Sequence, residues 1–230
     1  MYRLIEMRWL KLAGALLLVV LLFTPSNALE RKKQVGISGI IVSGFPSGQY
    51  SRLTNTGLGV GLELEYGVSN IATFEVIFNY LPFQGPDVVT DVVLNEEWRT
   101  MSYGAGGKLF FSPEKELVPY IRLSALFTDY DVDITRGEIK DENQNVIDPA
   151  IDTSFGENGK LTLSGGVGVR WDLNKKVGFS IELLYTQFFD AVHTLRGNEQ
   201  RVDGQFVSFN LGASFFLGGG QTNREKSSNY

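Results

Sequence analysis

The chain has 230 residues, of which 43% are hydrophobic, and it contains no cysteine. It carries 21 lysine and arginine residues against 26 aspartate and glutamate residues, a formal net charge of −5. This acidic balance argues against nucleic acid as a partner. The missing thiols exclude a disulfide scaffold and thiolate metal sites.

The first 28 residues have the layout of a secretory signal peptide. Arg3, Arg8 and Lys11 form a positive start, residues 12–23 form an apolar run, and residues 26–28 are Ser-Asn-Ala. The run is too short and wrongly flanked for a lasting membrane helix, although a retained N-terminal anchor helix is the alternative. We expect cleavage after residue 28, which leaves a mature chain with a net charge of −7.

Strand-length segments fill the rest of the chain. Residues 57–69, GLGVGLELEYGVS, alternate large apolar residues with mostly glycine and glutamate, and a period of two is typical of a β-strand. Segments that we assign to strands lie at 34–43, 57–68, 72–82, 98–111, 119–129, 160–172, 177–189 and 205–217. Each is long enough for a tilted strand to cross a bilayer, which takes about 9 to 11 residues.

The connections between these segments alternate strictly between long and short, from 44–56 after the first strand to 190–204 after the seventh. Such alternation indicates an up-and-down barrel with loops at one end and turns at the other. The sequence therefore predicts an all-β fold, an eight-stranded antiparallel up-and-down transmembrane β-barrel over residues 29–217. A polar C-terminal tail follows at 218–230.

The two faces of each strand differ in a way that favours an apolar outside. One parity carries large apolar side chains such as Phe74, Val76 and Phe78, while the other carries small or polar ones such as Thr73 and Glu75. Eight strands enclose a slim interior, where small residues are needed. A soluble, exported lipocalin-like barrel with its apolar face inward is the alternative.

Three segments carry a family resemblance: LVPYIRLSALFT (117–128), KLTLSGGVGVRWDL (160–173) and QFVSFNLGASFFL (205–217). Together with the signal peptide, they make the chain similar to the small eight-stranded outer-membrane barrels of Gram-negative bacteria, which include OmpA-like, OmpX-like and opacity-protein-like members. The resemblance implies a location in the bacterial outer membrane, contact with its lipid and lipopolysaccharide, and loops that can meet an extracellular ligand or surface. We expect a monomer without a cofactor and without an OmpA-like periplasmic domain.

The charged residues at the strand positions that face the interior fall in the halves of their strands nearest the short turns, which we call the lower halves. Ionised groups in a narrow, poorly hydrated interior are tolerated when they are paired and hydrogen-bonded. We therefore predict a salt-bridge network that plugs the barrel, with a narrow pore for small solutes or ions, lined by the same charges, as the alternative. The residues of this predicted network are Glu63, Glu65, Glu75, Lys108, Arg122, Arg170 and Glu182.

Residues 129–159 contain nine acidic and two basic side chains. Asp129, Asp131 and Asp133 share one strand face and are weak candidates for a metal site. They fail the calcium-loop pattern, because Ile134 stands where the turn glycine should be and Lys140 where the bidentate glutamate should be. We expect a solvated acidic loop and no metal, with divalent ions that bridge the loop to lipopolysaccharide phosphates as a weaker hypothesis.

The chain has a single histidine, His193. Ser43 or Ser102 could lie at a similar height in the barrel, as a Ser/His pair of a lipid A-modifying barrel would require. No motif of the lipid A deacylase or palmitoyltransferase families is present, so we expect no catalytic residues. The sequence favours a non-enzymatic barrel that acts as an envelope scaffold or as a surface-interaction protein through its loops. A lipid A-modifying enzyme is the second alternative, after the narrow pore.

Overall fold

A computed structural model describes residues 31–48, 50–52, 54–85, 95–113, 115–136, 139–140, 146–148, 150–174, 176–195 and 198–218. The predicted signal peptide and, apart from Gly218, the predicted polar tail lie outside these ranges. Within these ranges, no helix has the length and the apolar character that crossing a bilayer requires.

The described chain forms ten strands and one turn of 3-10 helix, η1 (Tyr50–Arg52). The strands are β1 (Val35–Ser47), β2 (Gly57–Gly67), β3 (Ala72–Gln84), β4 (Asn95–Phe110), β5 (Leu117–Arg136), β6 (Ile139–Lys140), β7 (Val146–Asp148), β8 (Ile151–Asp172), β9 (Val177–Leu195) and β10 (Asn198–Leu217). Strands β6 and β7 pair with each other, and the other eight form a closed barrel in the order β1-β10-β9-β8-β5-β4-β3-β2.

The first and last strands of the chain close the barrel. Strand β1 pairs antiparallel with β10 in an unbroken register from Val35 opposite Leu217 to Ser47 opposite Gln205. Every other neighbouring pair in the barrel is also antiparallel. The predicted fold class, an eight-stranded antiparallel up-and-down barrel, is confirmed.

Side chains alternate between the two sides of the wall. Outward residues such as Leu62, Phe78 and Leu211 are about half exposed, whereas inward residues such as Ser38 and Glu63 are buried. The large apolar side chains of the wall therefore form a continuous outer band, as a bilayer-spanning barrel requires. The lower end of the barrel is the end with the short turns, which follow β2, β4 and β8. The upper end carries the long connections.

The upper part of the barrel differs from the sequence-based strand limits. Residues 130–159 and 190–204 were expected to be loops, but β5 continues to Arg136, β8 begins at Ile151, and β9 and β10 leave two residues between them. The hydrogen-bond ladder continues upward, with Asp133 opposite Ser154. On β5 the extension has buried apolar side chains inside, Tyr130 and Val132, and polar ones outside, Asp131 and Asp133. It therefore lacks the apolar outer face that identifies a strand within a bilayer.

Candidate functional site

The seven charged side chains predicted for the lumen come together in its lower half. They project from β2, β3, β4, β5, β8 and β9, and none is more than 5% exposed. We call these seven residues the charged layer: Glu63, Glu65, Glu75, Lys108, Arg122, Arg170 and Glu182. Their burial makes pairing obligatory, because an unpaired ion in such an interior costs several kcal/mol or more.

Lys108 of β4 lies at the centre of the layer. Its Nζ is 2.5 Å from Glu75 Oε1 and 3.0 Å from Glu63 Oε2. The same nitrogen lies 3.5 Å from Glu182 Oε1 and 3.7 Å from Glu65 Oε2. One ammonium group thus contacts carboxylates from three strands, β2, β3 and β9, across the interior of the barrel.

Arg122 of β5 makes a second set of bridges. Its Nη1 is 2.6 Å from Glu182 Oε2 and its Nε is 3.1 Å from Glu75 Oε2, while Nη2 pairs with Glu63. The planar guanidinium presents several donors in fixed directions, so one group can serve three carboxylates. The layer therefore fixes β2, β3, β5 and β9 relative to one another through the lumen.

Neutral side chains complete the hydrogen bonds of Glu182. The Tyr120 hydroxyl donates to Glu182 Oε1 over 2.7 Å, and the Asn210 amide donates to Oε2 over 3.2 Å. The Tyr120 ring also lies 5.4 Å from Lys108 Nζ. A buried ion pair is tolerated when its remaining lone pairs are satisfied in this way.

The third cation of the charged layer, Arg170, lies towards its lower end. Arg170 Nη1 donates to Glu65 Oε1 over 2.7 Å, and its Nε lies 3.2 Å from Asp172 Oδ1. Arg31, which precedes β1, is fully buried and donates to Asp172 Oδ2. Its guanidinium carbon lies 4.3 Å from the centre of the Phe110 ring. Burial and the nearby Arg170 lower the pKa of Arg31 to about 10, so it stays charged at neutral pH.

A turn of residues 31–34 holds Arg31 under the barrel. Lys33 N donates to Gly67 O and Gly67 N donates to Gln34 O, both over 2.8 Å. A Cβ on Gly67 would lie 1.8 Å from Arg31 O, so only glycine permits this approach. The turn, which we call the N-terminal turn, contacts the end of β2 and places Arg31 in the lower mouth of the lumen.

Aromatic side chains fill the upper half of the lumen. Tyr50 reaches in from η1, and its ring centre lies 5.4 Å from Phe83, 5.5 Å from Trp98 and 5.3 Å from Phe188. The three contacts are edge-on, with interplanar angles of 78°, 81° and 87°, a favourable geometry for aromatic pairs. We call the buried rings in this region the aromatic layer: Tyr50, Phe83, Trp98, Tyr130, Phe188 and Phe206.

A small chamber separates the two layers. Its volume is about 30 Å³, and it is bordered by Arg122 of the charged layer below and Phe206 of the aromatic layer above. A buried water molecule needs at least about 10–15 Å³, so the chamber has room for about two. Its lining is rich in neutral polar groups, namely Asn79, Thr100, Ser102, Ser124, Ser164, Thr186, Ser208 and Asn210.

Residues 14–215 match the family model described as the outer membrane protein beta-barrel domain. The chain belongs to this family. It is therefore a protein of the bacterial outer membrane, and its lower, short-turn end faces the periplasm. Among curated proteins, none matches the sequence.

Solved structures with this fold include three bacterial surface or outer membrane proteins. A major outer membrane protein from Thermus thermophilus is 12% identical with a TM-score of 0.50, and the match covers 80% of this chain and 99% of that one. The attachment invasion locus protein Ail of Yersinia pestis is 14% identical (TM-score 0.46; 81% and 99% covered). Neisserial surface protein A is 12% identical (TM-score 0.47; 79% and 95% covered). At these identities the likeness concerns the fold.

Several lumen residues of this outer membrane barrel were not identified from the sequence. Asp172 has the same parity as Arg170 and could have been found by extending that pattern by one step. Arg31 precedes the first strand and Tyr50 lies in a connection, so strand parity says nothing about either. A partial indication of the aromatic layer was present in the sequence. Phe83, like Leu81, lies an even number of residues from Glu75 on the same strand and so faces inward.

The three weak metal candidates lie on the outward side of β5 near its upper end. Asp129 Oδ1 accepts a hydrogen bond from Gly159 N over 2.6 Å, and Asp133 pairs with Arg99. Alternate residues of an extended strand lie about 6.5 to 7 Å apart, which separates the three carboxylates. Among the described residues, no group of three or more His, Cys, Asp or Glu side chains is placed to hold a metal ion.

The candidate hydroxyls for a histidine-dependent enzyme lie on different sides of the wall. Ser102 has the inward parity and its hydroxyl is hydrogen-bonded to that of Thr128 over 2.7 Å, whereas Ser43 has the outward parity. His193 lies in β9 with its backbone opposite Gln200, and its side chain is not among those that the structure describes. At most one of the two serines can therefore share a side of the wall with His193.

Proposed function

We propose that this protein is a non-enzymatic outer membrane barrel with a closed lumen, which acts as an envelope scaffold and meets external surfaces through its extracellular hairpins. The observation that carries the proposal is the buried charged layer, in which Lys108 and Arg122 contact carboxylates from three other strands. An aqueous pore would instead leave such side chains solvated along an open path.

The charged layer favours closure because its ions are held by several partners at once. To open a path, Lys108 would have to leave Glu75 and Glu63, and Arg122 would have to leave Glu182. Removing one partner of a buried pair costs about 3–5 kcal/mol in measured cases. Opening therefore carries a cost that thermal fluctuation seldom meets.

The aromatic layer favours closure at a second level. Tyr50 is 1% exposed, and the wall rings Phe83, Trp98 and Phe188 surround it on three sides. A solute that entered from outside would have to displace this ring before it reached the charged layer. Two layers of different chemistry thus lie in series along the lumen.

The extracellular hairpins supply the surface of the proposed scaffold. Strands β5 and β8 are 20 and 22 residues long, about twice the length that crosses a bilayer. Their upper parts carry exposed polar residues such as Asp131 and Asp152, and Asp133 of β5 pairs with the partly exposed Arg99 of the neighbouring β4. These groups suit contacts with lipopolysaccharide or with an external polar ligand rather than with hydrocarbon.

The closed wall supports a monomer as the working unit. A barrel sealed by β1 and β10 leaves no edge strand in the wall that needs a partner chain.

Permeation of proteoliposomes tests this proposal. Vesicles that contain the refolded protein are expected to swell no faster in arabinose or potassium chloride than protein-free vesicles. A known general porin at the same density provides the positive control. Solute entry that scales with the amount of protein would contradict the closed lumen and favour the narrow pore.

A further inference from the structure

The outer face of the wall has a groove of about 520 Å³ where β4, β5, β8 and β9 lie side by side. The side chains that line it have the outward parity, apart from two serines of the inward parity. The lining residues are Ala105, Leu123, Ser124, Ala125, Leu163, Ser164, Gly165, Tyr185, Gln187 and Phe189. The groove therefore opens towards the lipid and not into the lumen.

Small residues at neighbouring positions create the floor of the groove. Ala105 lies opposite Ala125, and Gly165 lies opposite Leu123. Gly107 of β4 lies opposite Leu123 on its other side, and Leu123 itself is 68% exposed and forms one side of the depression. A Cβ on Gly165 would lie 2.9 Å from Leu123 Cδ2, so any side chain there would fill the space beside Leu123.

One polar side chain, Gln187, lines the upper part of the groove. It is half-buried and has the outward parity, and within the described part of the chain no protein group hydrogen-bonds its amide. It lies ten residues above Val177, the lower end of β9. With a rise of about 3.3 Å per residue and a tilt of about 40°, this places Gln187 about 25 Å higher, near the outer boundary of the apolar band.

We propose that this groove binds one acyl chain of lipopolysaccharide in the outer leaflet, with Gln187 as the hydrogen-bond partner of the amide or ester that links the chain to its sugar. A narrow apolar depression fits a single flexible hydrocarbon chain more closely than it fits the convex wall of a second barrel. An amide left unpaired at the edge of the hydrocarbon is costly, and the acyl linkage is a polar group that lies at that depth. The inference depends on the membrane location and not on the closed lumen.

The absence of cysteine allows a direct test with single labels in the full mature chain. Ala125→Cys on the groove floor carries bimane, and Ile41→Cys on β1, an exposed outward position, carries the same label as the control. Both proteins are placed in nanodiscs of phosphatidylcholine with brominated acyl chains, which quench bimane on contact. Lipid A without bromine is then added in steps.

We expect lipid A at a few mole per cent to restore the fluorescence at position 125 and to leave that at position 41 unchanged. Gly165→Leu fills the groove and should abolish the restoration, and Gln187→Leu should weaken it at least several-fold. Heat-modifiable gel mobility shows that each variant is folded. If Gly165→Leu does not fold, Gln187→Leu carries the test.

Three results would overturn the inference. Equal responses to lipid A at positions 125 and 41 would show that the groove has no preference over the rest of the wall. Persistent quenching at position 125, unaffected by lipid A, would assign the groove to phospholipid. Disulfide-linked dimers of unlabelled Ala125→Cys would assign it to a second copy. None of these results bears on permeation through the lumen, so the two proposals fail separately.

Discussion

Arg122 Nη1 and Glu182 Oε2 lie 2.6 Å apart inside the barrel, and both residues are 2% exposed. The two side chains project from β5 and β9, which are not neighbours in the wall because β8 lies between them. Backbone hydrogen bonds do not join these strands, so the ion pair connects them through the lumen. Solvent and salt screen such a pair far less than a pair on the surface.

Replacement of Arg122 by methionine should lower the free energy of unfolding by about 3–5 kcal/mol, because Glu63, Glu75 and Glu182 lose a shared cation. The double variant Arg122→Met/Glu182→Gln should lose less than the sum of the two single variants. Urea unfolding in lipid vesicles, followed by tryptophan fluorescence, measures the free energy of unfolding of each variant. Strict additivity of the two substitutions would show that the pair is not coupled.

The pair of Arg99 and Asp133 provides a matched contrast at the extracellular end, because about a third of each side chain is exposed. Arg99→Gln should cost no more than about 1 kcal/mol, as is usual for exposed pairs. That cost should shrink between about 0.05 and 1 M salt, whereas the cost of Arg122→Met should hardly change. Equal salt dependence of the two variants would argue that the charged layer is hydrated.

Removal of the central ring of the aromatic layer should also destabilise the barrel. Tyr50→Ala deletes a buried ring and is expected to cost about 3–5 kcal/mol, the range for large-to-small substitutions of aromatic residues. Tyr50→Phe keeps the ring contacts with Phe83, Trp98 and Phe188 and should retain most of the stability. Urea midpoints and near-ultraviolet circular dichroism report the two effects. A Tyr50→Ala protein as stable as wild type would mean that the ring does not occupy the lumen in solution.

The N-terminal turn should depend on the absence of a side chain at Gly67. Gly67→Ala is expected to displace the turn, because its Cβ would lie 1.8 Å from Arg31 O. Gly39→Ala is the control, since no atom lies within 4 Å of the corresponding Cβ. Hydrogen exchange of the Lys33 amide, which donates to Gly67 O, measures the change. We expect much faster exchange in Gly67→Ala alone, and unchanged exchange there would contradict the described turn.

The strand alternation of the sequence was sufficient to predict the barrel and the residues that face its interior. In β2, the period of two in residues 57–67 places Glu63 and Glu65 inside, because the side-chain period of a strand is fixed by its geometry. Charge at inward positions then selected the seven members of the charged layer. Their individual contacts did not follow from the sequence, since the register between strands such as β5 and β9 is set by the whole closed barrel.

The sequence revealed less about groups that lie outside the wall strands. Tyr50 and Arg31 enter the lumen from a connection and from the segment before β1, and no periodicity marks such positions. The extended hairpins were missed for a different reason. Their ladder continues where the outer face is polar, as at Asp133 opposite Ser154, while Val132 still faces inward. The apolar outer face therefore ends before the strand does.

Single-channel recording in a planar bilayer tests the closed lumen most directly. We expect the refolded wild-type protein to show no steady conductance, because the charged and aromatic layers lie in series. We also expect Arg122→Met and Tyr50→Ala to stay silent singly and to conduct when combined, since each variant leaves one layer intact. A steady, cation- or anion-selective current in wild type that changes with Glu182→Gln would contradict this account and identify the charged layer as the lining of a pore.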